Sequence, residues 1–105
     1  MIKRAYGFVR WKNEKNSTPP LETQKAHIID YCNKNKLDIV EIFVSTSSPF
    51  PNVLDQMLSR CRRKDKISEI VVTSWDRIAD DEIDLCLIEN MLDRKNIKLI
   101  ALEEL

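Results

Sequence analysis

Arg10, Asp76 and Arg77 are the residues whose types suggest chemistry. Two arginines held side by side can grip a phosphate through paired N–H donors. An aspartate beside them orients a guanidinium or takes a proton. A plainer reading of the same residues is a solvated loop network, in which Arg77 pairs with Asp76, Asp80 or Asp81. Other site chemistries are excluded early. The three cysteines, Cys32, Cys61 and Cys86, are odd in number, widely spaced and form no C-x-x-C, and His27 is the only histidine. A structural zinc site needs about four clustered ligands, so no metal and no cofactor is expected. Each cysteine falls in an apolar helical pattern and reads as a reduced core thiol. The single glycine, Gly7, rules out glycine-rich phosphate cradles.

The elements that must position these residues alternate. Residues 2–10 form a strand, with Ala5, Tyr6, Phe8 and Val9 apolar and Gly7 permitting close approach of another backbone. A polar loop leads to Thr18-Pro-Pro, a helix start with Thr18 as cap. Leu21, Ala26, Ile28, Ile29 and Cys32 give that helix an apolar side to about Lys36. Residues 37–44 form a second strand and residues 45–51 a loop. Asn52 can cap a second helix with Val53, Leu54, Met57, Leu58 and Cys61 on one face. Residues 69–73 read as a short apolar strand covered on both faces. After a loop, Asp80 and Asp81 open a third helix running to about Asn96, and residues 97–102 form a fourth strand.

This β-α-β-α-β-α-β order predicts an α/β fold of three layers, a mostly parallel four-stranded sheet with three helices and right-handed crossovers. Ligands on such sheets bind outside the carboxyl ends of the strands. Residues 10–13, 45–48 and 75–77 stand at those ends. In the third helix Ile83, Leu85, Leu87, Ile88, Met91 and Leu92 spread over an arc of about 200° at 100° per residue, more than one sheet contact requires. Either the helix is wedged between the sheet and a neighbouring helix, or Ile83, Leu87 and Met91 face a partner.

The chain has 105 residues, 43% hydrophobic and 32% charged, sufficient for one domain spanning 1–105 with its own core. Lys plus Arg and Asp plus Glu number 17 each, so the net charge is zero, against a nucleic-acid coat or a polybasic membrane binder. The basic run at residues 60–66 reads as a solvated helix end or a local patch. No apolar run is long enough to span a membrane and no signal peptide opens the chain, which predicts a cytoplasmic protein.

At this point the chain resembles a family. Tyr6-Gly-Phe-Val-Arg10, Leu21-Glu-Thr-Gln24, Val71-Val-Thr-Ser-Trp-Asp76-Arg77-Ile78 and Ile97-Lys-Leu-Ile-Ala-Leu102 are similar, in order and spacing, to the catalytic domain of serine recombinases (resolvases, invertases and integrase relatives). The resemblance implies a resolvase-like sheet of order 2-1-3-4. It also implies that Arg10, Gln24, Asp76 and Arg77 match site positions. The departures carry as much. The family's nucleophilic serine follows its arginine by two residues, where this chain has Lys12. An ammonium has no lone pair for attack and cannot form the reversible seryl phosphodiester the family uses. The arginine of the family's D-R-P-G-like stretch is missing from Phe50-Pro-Asn-Val53. The last arginine of D-R-L-x-R is Asp80, and a loop acid is replaced by Ser45.

The resemblance with its departures implies a catalytically inactive domain, serving as a protein-interaction or regulatory module. Its partner would be a second copy, a recombinase-like protein, or a protein of a mobile element such as a phage or plasmid. The alternative is a DNA- or phosphate-binding remnant that grips weakly through Arg10, Lys12 and Arg77. An unrelated phosphatase or nuclease using Asp76 lacks a second carboxylate placed for metal and a histidine near any strand end. The family's dimerisation helix and DNA-binding domain are expected to be absent.

Overall fold

The structure is a computed structural model that describes residues 2–11, 20–45, 56, 57, 59 and 66–104. Four strands, β1 (Lys3–Arg10), β2 (Leu37–Ser45), β3 (Ile67–Val72) and β4 (Lys98–Ala101), form one sheet of order β2-β1-β3-β4. Every neighbouring pair is parallel, as the alternating pattern and the resemblance both require. Among the described residues two α-helices are present rather than the expected three: α1 (Leu21–Lys34) and α2 (Glu82–Asp93). Most of the helix expected from Asn52 lies outside the described residues, although Gln56, Met57 and Ser59 are helical. Thr18 and the stretch from Phe50 to Val53 also lie outside them.

Period-two alternation builds two cores from one sheet. Tyr6, Phe8, Ile70 and Val72 point to one side and pack with Ile88 and Leu92 of α2 and with Ile78. Ala5, Val9 and Val71 point to the other and pack with Ile28 and Cys32 of α1. The central strands are therefore covered on both faces, and they read as continuous apolar runs. Gly7 lies under α1. A Cβ there would stand 3.1 Å from Ile28 Cγ2 and from Ile42 Cγ1, so the close approach it allows is by side chains rather than by a backbone.

Several boundaries differ from the sequence reading. Helix α1 starts after Pro20 with no side-chain cap and ends at Lys34, because Asn35 and Lys36 (φ 56°) turn the chain into β2. Its buried face is Gln24, Ile28 and Cys32 at i, i+4, i+8, while Ala26 and Ile29 face solvent. Helix α2 begins one residue after Asp81, whose carboxylate accepts the Asp84 N–H at 2.8 Å. Lys36, Lys66 and Asn96 are left-handed, and each ends a connection just before a strand or its first apolar residue. A chain with one glycine must fill such turns with other residues.

Of the cysteines expected in the core, Cys32 is buried but Cys86 is exposed on α2, and Cys61 lies outside the described residues. The α2 apolar arc is wider than its contact: Ile88 and Leu92 are buried, Leu85 and Met91 pack at the core's edge, and Ile83 and Leu87 are 74% and 50% exposed. No described helix is long and apolar enough to cross a membrane.

Candidate functional site

The parallel sheet brings the carboxyl ends of β1, β2 and β3 to one edge, and the candidate residues meet there. Arg10 is the last residue of β1, paired in register with Ser45, the last residue of β2. Both are buried. The chain after β3 turns through Thr73 and Ser74 into a short 3-10 turn, Trp75–Arg77, which delivers Asp76 and Arg77 to the same edge.

Gln24 holds the end of β1 from α1. Its Oε1 accepts the Arg10 backbone N–H at 3.0 Å and its Nε2 donates to the Arg10 carbonyl at 2.8 Å. The amide thus matches both hydrogen-bonding groups of one buried peptide residue, which fixes where the Arg10 side chain departs.

That side chain runs toward the 3-10 turn. Arg10 Nη1 donates to Asp80 Oδ1 at 2.7 Å and lies 3.5 Å from the Asp76 carbonyl oxygen. Asp80, read as a partner for Arg77, therefore pairs with Arg10. Arg77 Nε is 3.7 Å from Asp76 Oδ1, and Asp76 also accepts from the Ser74 hydroxyl. Both guanidinium groups lie near Asp76, that of Arg10 by the Asp76 carbonyl and that of Arg77 by the Asp76 carboxylate, and Asp80 pairs closely with Arg10.

The second guanidinium is incompletely satisfied. Arg77 is buried, yet its Nε and Nη1 have no hydrogen-bond partner among the described residues, and neither has the Thr73 hydroxyl. Buried donors of this kind are costly unless something accepts from them. Arg77 and Thr73 also line a cavity of about 250 Å³ together with Gln24, His27, Leu102 and Glu103. His27, expected to lie away from every strand end, reaches this one because it follows Gln24 by one helical turn. A second hollow of about 270 Å³, on the other side of the 3-10 turn, is lined by Asp76, Asp80, Asp81 and Glu82 with Trp75, Ala79 and Leu85.

Lys12 lies outside the described residues. Ile83, Leu87 and Met91 stand apart from this edge, on α2. No group of three or more metal-ligating side chains occurs among the described residues. The resolved pKa shifts fall elsewhere: burial raises the Tyr31 phenol, helped by Glu69, whose Oε1 accepts its hydroxyl at 3.2 Å. Burial, with Glu69 again adding to it, pushes the Cys32 thiol up to about 11.

Comparison with known proteins agrees with this fold. Residues 5–105 match the family model described as the resolvase N-terminal domain. The fold is similar to the N-terminal catalytic domain of TP901-1 integrase, at TM-score 0.83 and 14% identity, covering 97% of this chain and 78% of that one. It is similar to the C-terminal catalytic domain of ISC1926 TnpA, an IS607-like serine recombinase, at TM-score 0.74 and 17% identity, covering 94% and 67%. It is also similar to a resolvase family site-specific recombinase from Streptococcus pneumoniae, at TM-score 0.77 and 18% identity, covering 97% and 73%. At such identities the likeness is one of fold. No curated protein sequence matches the chain significantly.

Proposed function

This chain belongs to the resolvase family, and from that premise we propose that it is a non-catalytic resolvase-like domain acting as a protein-interaction or regulatory module. One observation carries the reading: Lys12 stands two residues after Arg10, where the family signature has its nucleophilic serine. Phosphoryl transfer by this route needs a hydroxyl that attacks phosphorus and then leaves again, and an alkylammonium can do neither. It also needs preorganised positive charge around the reacting phosphate. Here Asp80 replaces an arginine of the signature, and it neutralises Arg10 at 2.7 Å. Loss of a nucleophile alone costs several orders of magnitude in rate.

The partner we propose is a second copy of the chain or a recombinase-like protein, met through α2, where Ile83 and Leu87 are exposed. Arg77's unpartnered donors favour a second reading, a site that still grips a phosphate or DNA backbone weakly through Arg10, Lys12 and Arg77. Both readings place the protein in the cytoplasm with mobile-element or recombination partners. Incubation with supercoiled plasmid carrying resolvase-type sites tests the shared claim. The reading expects no nicked or linear product from the wild-type chain. Cleavage that disappears on mutating one serine would defeat it. A salt-dependent gel shift without cleavage would select the second reading.

A further inference from the structure

The Arg10–Asp80 pair has one end inside the protein and one end outside. The Arg10 side chain is 8% exposed and the Asp80 side chain 45%. An anion approaching Arg10 from solvent therefore meets Asp80 first. The neighbouring carboxylates do not share this position. Asp76 takes the Ser74 hydroxyl and lies beside Arg77, and Asp81 is engaged as the cap of α2. Asp80 brings its carboxylate to Arg10 Nη1 at 2.7 Å. Behind the pair, Arg10 Nε and Arg77 Nε and Nη1 have no hydrogen-bond partner among the described residues. The donors of an oxyanion site are thus assembled, and a carboxylate of the chain sits on the one that faces out.

We infer that Asp80 is a built-in competitor anion, which occupies Arg10 and keeps phosphate off the Arg10–Arg77 pair. This rests on the non-catalytic reading of the site, since a working site would need Arg10 open. Asp80 departs from the family's arginine in charge, so the position has changed from a contributor to anion binding into its internal substitute. Removing the charge while keeping the shape, as in Asp80→Asn, frees Arg10 without adding a new cation.

The test is a titration of the full chain with inorganic phosphate, following the Nε–H resonances of Arg10 and Arg77 by NMR. Wild type is expected to show no saturable shift. Asp80→Asn is expected to show one at both arginines, with a midpoint at least about tenfold below the highest phosphate concentration at which wild type shows none, the size of effect for losing one charge-assisted contact. The double variant Arg10→Gln, Asp80→Asn is expected to lose it. Asp80→Ser, which also removes the charge, repeats the test in a second background. Equal affinity in wild type and variants, or a folded variant that gains nothing, overturns the inference. So does unfolding of both variants, because the pair would then be a structural tie rather than a removable plug. The outcome is separable from the non-catalytic reading: DNA cleavage by wild type overturns that reading, whereas a flat variant titration overturns only the role of Asp80.

Discussion

At the scale of single residues, Gln24 is the clearest positioning group. It is fully buried and satisfies both backbone groups of Arg10. Gln24→Ala strands a buried N–H and a buried carbonyl together, so it should lower unfolding stability by about 2–4 kcal/mol in urea titration. A cost within about 0.5 kcal/mol would show that water replaces the amide freely. The thiols make a second prediction, best measured in a Cys61→Ser background. Cys86 is exposed and Cys32 is buried with its pKa raised from 9.0 to about 11, so iodoacetamide at pH 8 should modify Cys86 first and leave Cys32 until unfolding. The sign of the accompanying pH effect is fixed. Between pH 9 and 11 the unfolded thiol loses its proton and the folded one keeps it, so this contribution to stability is present below pH 9 and is lost as pH rises through that window. Arg10, Asp76 and Arg77 were legible in the sequence because they sit at strand ends, whereas Gln24 entered only through the family resemblance. Asp80's partner was not legible. Asp76, Asp80, Asp81 and Glu82 look alike as spacing, and only the packing of the 3-10 turn against the end of β1 decides which of them meets Arg10. His27 was missed although it follows Gln24 at i+3, a spacing that already put it on the same side of α1.

At the scale of elements, the turns and α2 carry the testable content. Lys36 holds φ 56° between α1 and β2. A left-handed lysine costs about 1–2 kcal/mol, and glycine returns part of that as extra freedom in the unfolded chain, so Lys36→Gly should stabilise by about 0.5 kcal/mol. Asn96→Gly should gain less, because asparagine tolerates φ 59° better. Thermal unfolding of the two variants checks both the sign and the order. On α2, Leu87 is half exposed and Ile83 more so. If that face meets a second copy, Leu87→Glu should shift the mass in light scattering toward monomer and leave the circular dichroism unchanged, since a charge is buried only in the assembly. Unfolding by Leu87→Glu would instead make the position part of the core. The sequence made the four strands legible as short apolar runs and the helices through apolar spacing. It overstated α2, whose apolar arc exceeds the face the sheet covers, and it overran both ends of that helix. It also assigned Cys86 to the core, because a cysteine in an apolar pattern carries no sign of which side of a wide arc it occupies.

At the scale of the whole molecule, a parallel sheet with helices on both faces gathers its strand ends at one edge, and the chain keeps the family's scaffold there, while the proposed reading takes the family's nucleophile to be replaced by Lys12. The parallel pairing followed from the alternation of elements and the sheet order from the family resemblance, while the reading of the site depends on identities at a few positions. In the proposed reading Lys12 takes the place of a serine, and Asp80 takes the place of an arginine by pairing with Arg10. The measurement that most directly tests this separation of fold from chemistry is a search for a covalent protein–DNA ester. Wild-type chain is incubated with duplexes carrying a resolvase-type site nicked to trap the intermediate, then denatured and resolved on a gel with and without protease. The account predicts no species of reduced mobility that protease removes. A protease-sensitive adduct formed by wild type, and lost when one serine is replaced by alanine, would contradict it.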